Sequence, residues 1–156
     1  MYKPTILLAL FAIACNNKPS GPAVAEVKTG NRLPLEGTWQ LIDGTLIEKG
    51  DTTVTDYTRR QSFIKIINAT HFAFQHHDLS KGRDSASFGA GAGTYQLAGD
   101  QYTEHLEYCS DRQWEGNDFS FTITISNDTL VQRGIEKIES AGVDRLNIER
   151  YVRYKK

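Results

Sequence analysis

The stretch TYQLAGDQYTEHLEY, residues 94–108, reads as two strands joined at Gly99-Asp100. A Gly-Asp pair between two alternating arms is a short-range hairpin signal. Successive strand side chains point to opposite sides. The second arm therefore sorts into Tyr102, Glu104, Leu106 and Tyr108 on one face, and Gln101, Thr103, His105 and Glu107 on the other. The first set is the apolar one, yet it carries Glu104. A core-facing carboxylate must be paired, protonated or wetted, because a lone buried charge costs several kcal/mol.

The same period of two runs outward in both directions. DFSFTITIS (118–126) alternates Phe119, Phe121, Ile123 and Ile125 against Ser120, Thr122 and Thr124, and meets TLVQRG (129–134) at Asn127-Asp128. SFIKIIN (62–68) and HFAFQHH (71–77) flank Ala69-Thr70, FGAGAGTYQLA (88–98) precedes the opening hairpin, TWQLIDGTLIE (38–48) begins the series and RLNIERYVRY (145–154) ends it. The intervening pieces, DTTVTDYTRR (51–60), DLSKGRDSAS (78–87), SDRQWEGN (110–117) and IEKIESAGVD (135–144), read as loops or a frayed edge. No long helical period interrupts them. Short strands joined by tight turns predict an all-β fold, a single antiparallel up-and-down barrel of about eight strands. Closure removes the exposed edges, and a barrel of that size holds side chains or one small ligand.

Gly89-Ala-Gly-Ala-Gly93 lacks the Lys-Ser/Thr and the helix of a phosphate loop, so it predicts a strand that bends or lies close to another backbone. His76-His77-Asp78 has metal-ligand residue types, but neighbouring strand residues diverge, and a solvated strand end is the expectation. His71 and His105 are expected on the barrel exterior.

The chain begins MYKPTILLALFAIAC, with one lysine before an apolar run, Ile6–Ala14, too short to span a bilayer. Ala12-Ile13-Ala14-Cys15 resembles the lipobox of bacterial lipoproteins, with alanine where leucine is usual. That resemblance implies a signal peptide over 1–14, lipidation at Cys15, a flexible tether over 15–32 and a domain over 33–156. It also implies export and anchoring at the cell envelope, with the outer membrane favoured by Asn16 after the cysteine. The full chain carries 18 Lys and Arg against 19 Asp and Glu, a net charge of −1, or −2 once Lys3 leaves with the signal. No basic stripe points to nucleic acid. Cys109 is the other cysteine of the chain, too few for a thiolate metal site, and is expected to be buried and inert. The only membrane contact expected is through the lipid, and no cofactor or metal is expected.

Gly37-x-Trp39 on the first strand resembles the start of lipocalins and their calycin relatives. In those folds the tryptophan closes one end of the barrel and a late arginine packs across it. HFAF (71–74), the hairpin from Gly93 to Glu104 and Glu149-x-Tyr151-x-Arg153 extend the resemblance to small lipocalin-like lipoproteins and secreted proteins of Bacteroidetes, over most of residues 35–153. Those relatives usually carry tryptophan where this chain has Tyr151.

Within such a barrel the last strand offers either Leu146, Ile148, Arg150, Val152 and Tyr154, or Asn147, Glu149, Tyr151 and Arg153, to the interior. The family-like ending favours the second set. Arg153 is the expected partner of Glu104, with Lys65, on the face of Phe63 and Ile67, a second candidate. The expected ligand site is Trp39, Lys65, Phe72, Phe74, Tyr95 and Tyr102, together with Glu104, Tyr108, Phe121, Glu149, Tyr151 and Arg153. A few polar groups among aromatic ones is the balance of a small-molecule pocket. The function expected is binding of a small amphipathic or aromatic ligand. Two alternatives remain open: a cofactor-free lyase or isomerase using Glu104, Tyr102 or Tyr108 and an arginine, and an interaction module with a solid barrel.

Overall fold

The computed structural model describes residues 34–155. The expected signal peptide, Cys15 and tether lie outside them. Nine strands follow: β1 Gly37–Glu48, β2 Asp51–Asp56, β3 Gln61–Ile67, β4 His71–Asp78, β5 Phe88–Ala98, β6 Gln101–Cys109, β7 Asp118–Ser126, β8 Thr129–Ile138 and β9 Val143–Arg153. Eight of them form a ring in chain order, β1-β3-β4-β5-β6-β7-β8-β9, closed by β1 pairing with β9. Every pairing is antiparallel. β2 stands outside the ring and, among the described strands, pairs with β1 alone, through Asp43–Glu48. The expected fold class is therefore the observed one, an all-β closed antiparallel barrel, with β2 added.

Two segments expected as loops are strands. Asp51–Asp56 forms β2, and β8 continues through Ile135–Ile138 before a single 3-10 turn, Glu139–Ala141, leads into β9. In the second, Glu136 and Ile138 are buried while Ile135 and Lys137 are exposed, so alternation persists there. The charged residues of IEKIE disguise that period because one of its inward positions is a glutamate.

β7 follows its pattern, with Phe119, Phe121 and Ile123 buried and Ser120, Thr122 and Thr124 exposed. Elsewhere two bulges change the parity. Between Leu41 and Asp43 the β1–β9 register shifts, and the inward set passes from Trp39 and Leu41 to Gly44. Between Ala92 and Gly93 on β5, opposite Leu106–Tyr108 on β6, the register shifts again. An extra residue on one strand turns everything beyond it to the other face. Leu106 is buried, but Tyr108 is 67% exposed, and Cys109 turns inward instead. The placement of Tyr108 inside the barrel is thus corrected.

The glycine run sits at inward positions of β5 and is filled from β4. A Cβ on Gly91 would strike the Phe74 ring, and one on Gly89 the His76 ring. Gly93 meets backbone: its Cβ would collide with the His105 carbonyl at the bulge. The close approach expected of this stretch is therefore real.

One end of the ring is sealed. Trp39 is fully buried and its Nε1 donates to the Leu35 carbonyl at 2.8 Å. The Arg153 guanidinium lies 4.1 Å from the Trp39 ring centroid and donates to the Glu36 carbonyl at 2.9 Å and the Pro34 carbonyl at 2.5 Å. Near the other end, the loop after β4 is clamped by Asp78, which accepts from the Gly82 amide at 2.7 Å, the Ser87 amide at 3.1 Å and the Ser80 hydroxyl at 2.8 Å.

Two outcomes are expected. Gly93→Ala lowers stability by about 1–3 kcal/mol in chemical denaturation, because the obstacle is a carbonyl rather than a movable side chain; an unchanged midpoint would show that the bulge yields. The backbone amides of Gly82 and Ser87 hold the Asp78 pKa down to about 2. A depressed carboxylate contributes its stabilisation above its unfolded value and loses it as pH falls through the folded one. Hydrogen exchange at Gly82 and Ser87 should therefore accelerate, relative to the barrel strands, between pH 4 and pH 2. Asp78→Asn should show that acceleration already at neutral pH.

Candidate functional site

Three strands meet at the barrel axis in a polar knot. Lys65 on β3 donates from Nζ to Glu104 Oε1 on β6 at 2.7 Å and to Gln132 Oε1 on β8 at 3.1 Å. The two charged side chains are 3% and 7% exposed. The ammonium also lies 5.5–5.9 Å from the ring centroids of Tyr151, Phe72 and Tyr102. A desolvated cation is favoured near aromatic faces. The partner of Glu104 is thus Lys65, not Arg153, which caps the sealed end. The inward face of β9 is Asn147 and Tyr151, as the family-like ending implies, while Arg150 points out and pairs with Asp43.

The barrel is packed between this knot and Trp39, and hollow on the other side. A cavity of about 310 Å³ opens there. Lys65, Glu104, Gln132 and Tyr151 form its floor, Phe63, Phe74 and His76 one wall, and Trp114, Phe119 and Phe121 another. Phe63 stacks on Phe74 at 5.6 Å and on His76 at 5.8 Å, and meets Tyr57 edge-on at 5.9 Å. Trp114, from the 3-10 turn Arg112–Trp114, packs on Phe119 at 5.6 Å. A polar strip from β8 and β9 completes the lining. Glu136 accepts from Arg145 Nε and from Asn147 Nδ2, both at 2.7 Å, and Glu149 accepts from the Tyr151 hydroxyl at 2.8 Å.

Burial governs the protonation of these groups. It pushes the Tyr151 phenol well up, aided by the charge of Glu149, and it raises Tyr102, aided by Glu104. The Tyr102 hydroxyl has no hydrogen-bond partner among the described residues. Burial also raises Glu136 against the pull of Arg145, raises the Cys109 thiol and lowers His76.

Of the expected site, Lys65, Phe74, Glu104, Phe121, Glu149 and Tyr151 line the cavity. Trp39, Phe72, Tyr95 and Tyr102 belong to the packed half, Arg153 to its cap, and Tyr108 to the outer surface. Of the groups named for a lyase, Tyr108 and Arg153 are remote from Glu104, whereas the Tyr102 ring and Glu104 both lie beside the Lys65 ammonium and another arginine, Arg145, lines the cavity. The barrel is not solid. Sequence reasoning missed Tyr57, Phe63, His76, Trp114, Glu136 and Arg145. His76 was legible, since Phe72, Phe74 and His76 share a face; it is an inward aromatic rather than part of a solvated strand end, while His77 is exposed. Trp114 and Tyr57 come from connecting segments, where no period says which way they point. His71 and His105 are exposed, as expected, and His105 faces Asp118 at 2.6 Å.

An eight-strand ring sealed at one end by a tryptophan and hollow at the other is a ligand-barrel architecture. A family described as the lipocalin-like domain matches residues 35–132, and the chain belongs to it. No curated protein matches the chain. A barrel of this kind suits binding of a small ligand.

The knot gives a direct energetic test. Lys65→Met and Glu104→Leu each strand a buried partner and should cost about 3–5 kcal/mol. Lys65→Met with Glu104→Leu removes both and should cost less than the two singles added together. Strict additivity in a double-mutant cycle by urea unfolding would show that the pair is not coupled.

Proposed function

We infer that the protein binds one small amphipathic or aromatic molecule in the open half of its barrel. The observation that carries this reading is the cavity above the Lys65–Glu104 knot. It lies at the lower end of the ligand-pocket range, about 300–1,000 Å³, and combines aromatic walls with a few fixed polar groups. Lys65 and Gln132 are held in place before any ligand arrives, which lowers the ordering cost of binding. The lipobox-like Ala12-Ile13-Ala14-Cys15 and the motifs shared with Bacteroidetes lipoproteins support a carrier or sensor exported and tethered through Cys15 at the envelope, on the outer membrane.

The test uses full-length protein in non-ionic detergent and the uncharged fluorophore N-phenyl-1-naphthylamine. Saturable binding at one site is expected. Cys109→Trp, which puts an indole into the cavity wall, should weaken it at least tenfold, equivalent to about 1.4 kcal/mol. Non-saturable fluorescence, or the same affinity in a folded Cys109→Trp variant, would remove the cavity as the binding site.

A further inference from the structure

The charges that line the cavity do not cancel. Four carboxylates, Glu104, Glu136, Glu149 and Asp111, face two cations, Lys65 and Arg145. Lys65 is matched by Glu104 at 2.7 Å, and Arg145 by Glu136 at 2.7 Å. Among the described residues Glu149 has no ion pair, and its side-chain partner is the neutral Tyr151 hydroxyl at 2.8 Å. Asp111 accepts from the Gln113 amide at 3.3 Å, which leaves its charge unbalanced at the mouth. His76 does not supply a cation at neutral pH, because burial pulls its pKa below the ordinary value.

Glu149 is placed among rings. It pairs in register with Gly44, and the Tyr57 ring lies over Gly44, where a Cβ would be 3.2 Å from Tyr57 Cε2. Tyr57 is edge-on to Phe63, which is edge-on to Tyr151 at 6.4 Å. The negative charge of Glu149 contributes to the raised pKa values of Tyr57, Tyr151 and Glu136, so its field reaches the surrounding cavity. An unpaired carboxylate beside aromatic rings is complementary to an ammonium group, which both attract. An anion would meet Glu149 as a like charge. Lys65 is no counterweight, being saturated by Glu104, Gln132 and three rings at the floor.

We propose that the cavity selects a ligand bearing a positive charge, a protonated amine on an aromatic or apolar body, with Glu149 as its counter-ion. This rests on the reading of the cavity as a ligand site and adds the sign of the ligand's charge.

The experiment is isothermal titration calorimetry of the full-length protein with tryptamine, indole-3-propionate and 3-methylindole: one ring system carrying a cation, an anion and no charge. Tryptamine should bind at least tenfold more tightly than indole-3-propionate and more tightly than 3-methylindole. Glu149→Gln, which keeps an acceptor for Tyr151, should abolish the preference for tryptamine over 3-methylindole. Equal or tighter binding of indole-3-propionate overturns the proposal, as does a tryptamine preference that survives in Glu149→Gln. If none of the three binds, the proposal is also overturned. The ligand-site reading falls with it only if N-phenyl-1-naphthylamine fails as well. Because the wild-type comparison needs no variant, a Glu149→Gln protein that does not fold leaves the charge preference readable.

Discussion

A lysine and a glutamate inside a barrel must find one another, and the rest of this structure is arranged around that requirement. Lys65 and Glu104 come from strands on different sides of the ring and meet at 2.7 Å with almost no solvent access. Either charge alone at that depth would cost several kcal/mol. Together, with Gln132 as a further acceptor and three aromatic rings around the ammonium, they are tolerated. The pair divides the interior. Below it the barrel is filled by Trp39, Phe72, Tyr102 and Leu130; above it the walls are too far apart for their side chains to close the space.

The two halves use the same residue types differently. In the packed half a cation, Arg153, covers Trp39 and satisfies the carbonyls of Pro34 and Glu36, so charge seals the end. In the open half Arg145 lies 5.1 Å from the Trp114 ring and pairs with Glu136, which leaves two lining carboxylates, Glu149 and Asp111, without an ion pair among the described residues. The glycines of β5 contribute to the same asymmetry. Gly89 and Gly91 allow His76 and Phe74 to lie flat along the wall instead of filling the centre.

Much of the fold was legible. The period of two, the turn residues between strands and Gly37-x-Trp39 led to a barrel, and the arginine packed across Trp39 followed from the resemblance. The candidate site was half legible. Glu104 stood out because a carboxylate interrupted an apolar face, and Lys65 interrupted a face in the same way between Phe63 and Ile67. Choosing Arg153 as the partner failed because pairing across a barrel depends on the depth of each residue along the axis. That depth is set by strand stagger, which no single strand records. Tyr108 was misplaced by a bulge in the very hairpin whose alternation revealed the fold, since one extra residue reverses parity without altering composition.

The amino-acid sequence by itself determined most of the strands, their order and the core faces away from the bulges, because burial on one side of a pleated strand is written locally, residue by residue. Only the tertiary structure decided that Lys65 answers Glu104, that the barrel is hollow at one end, and that Glu149 faces the hollow with no ion pair among the described residues. Those properties depend on distances between residues far apart in the chain, and on volume left over after packing. Both are fixed only when the ring closes.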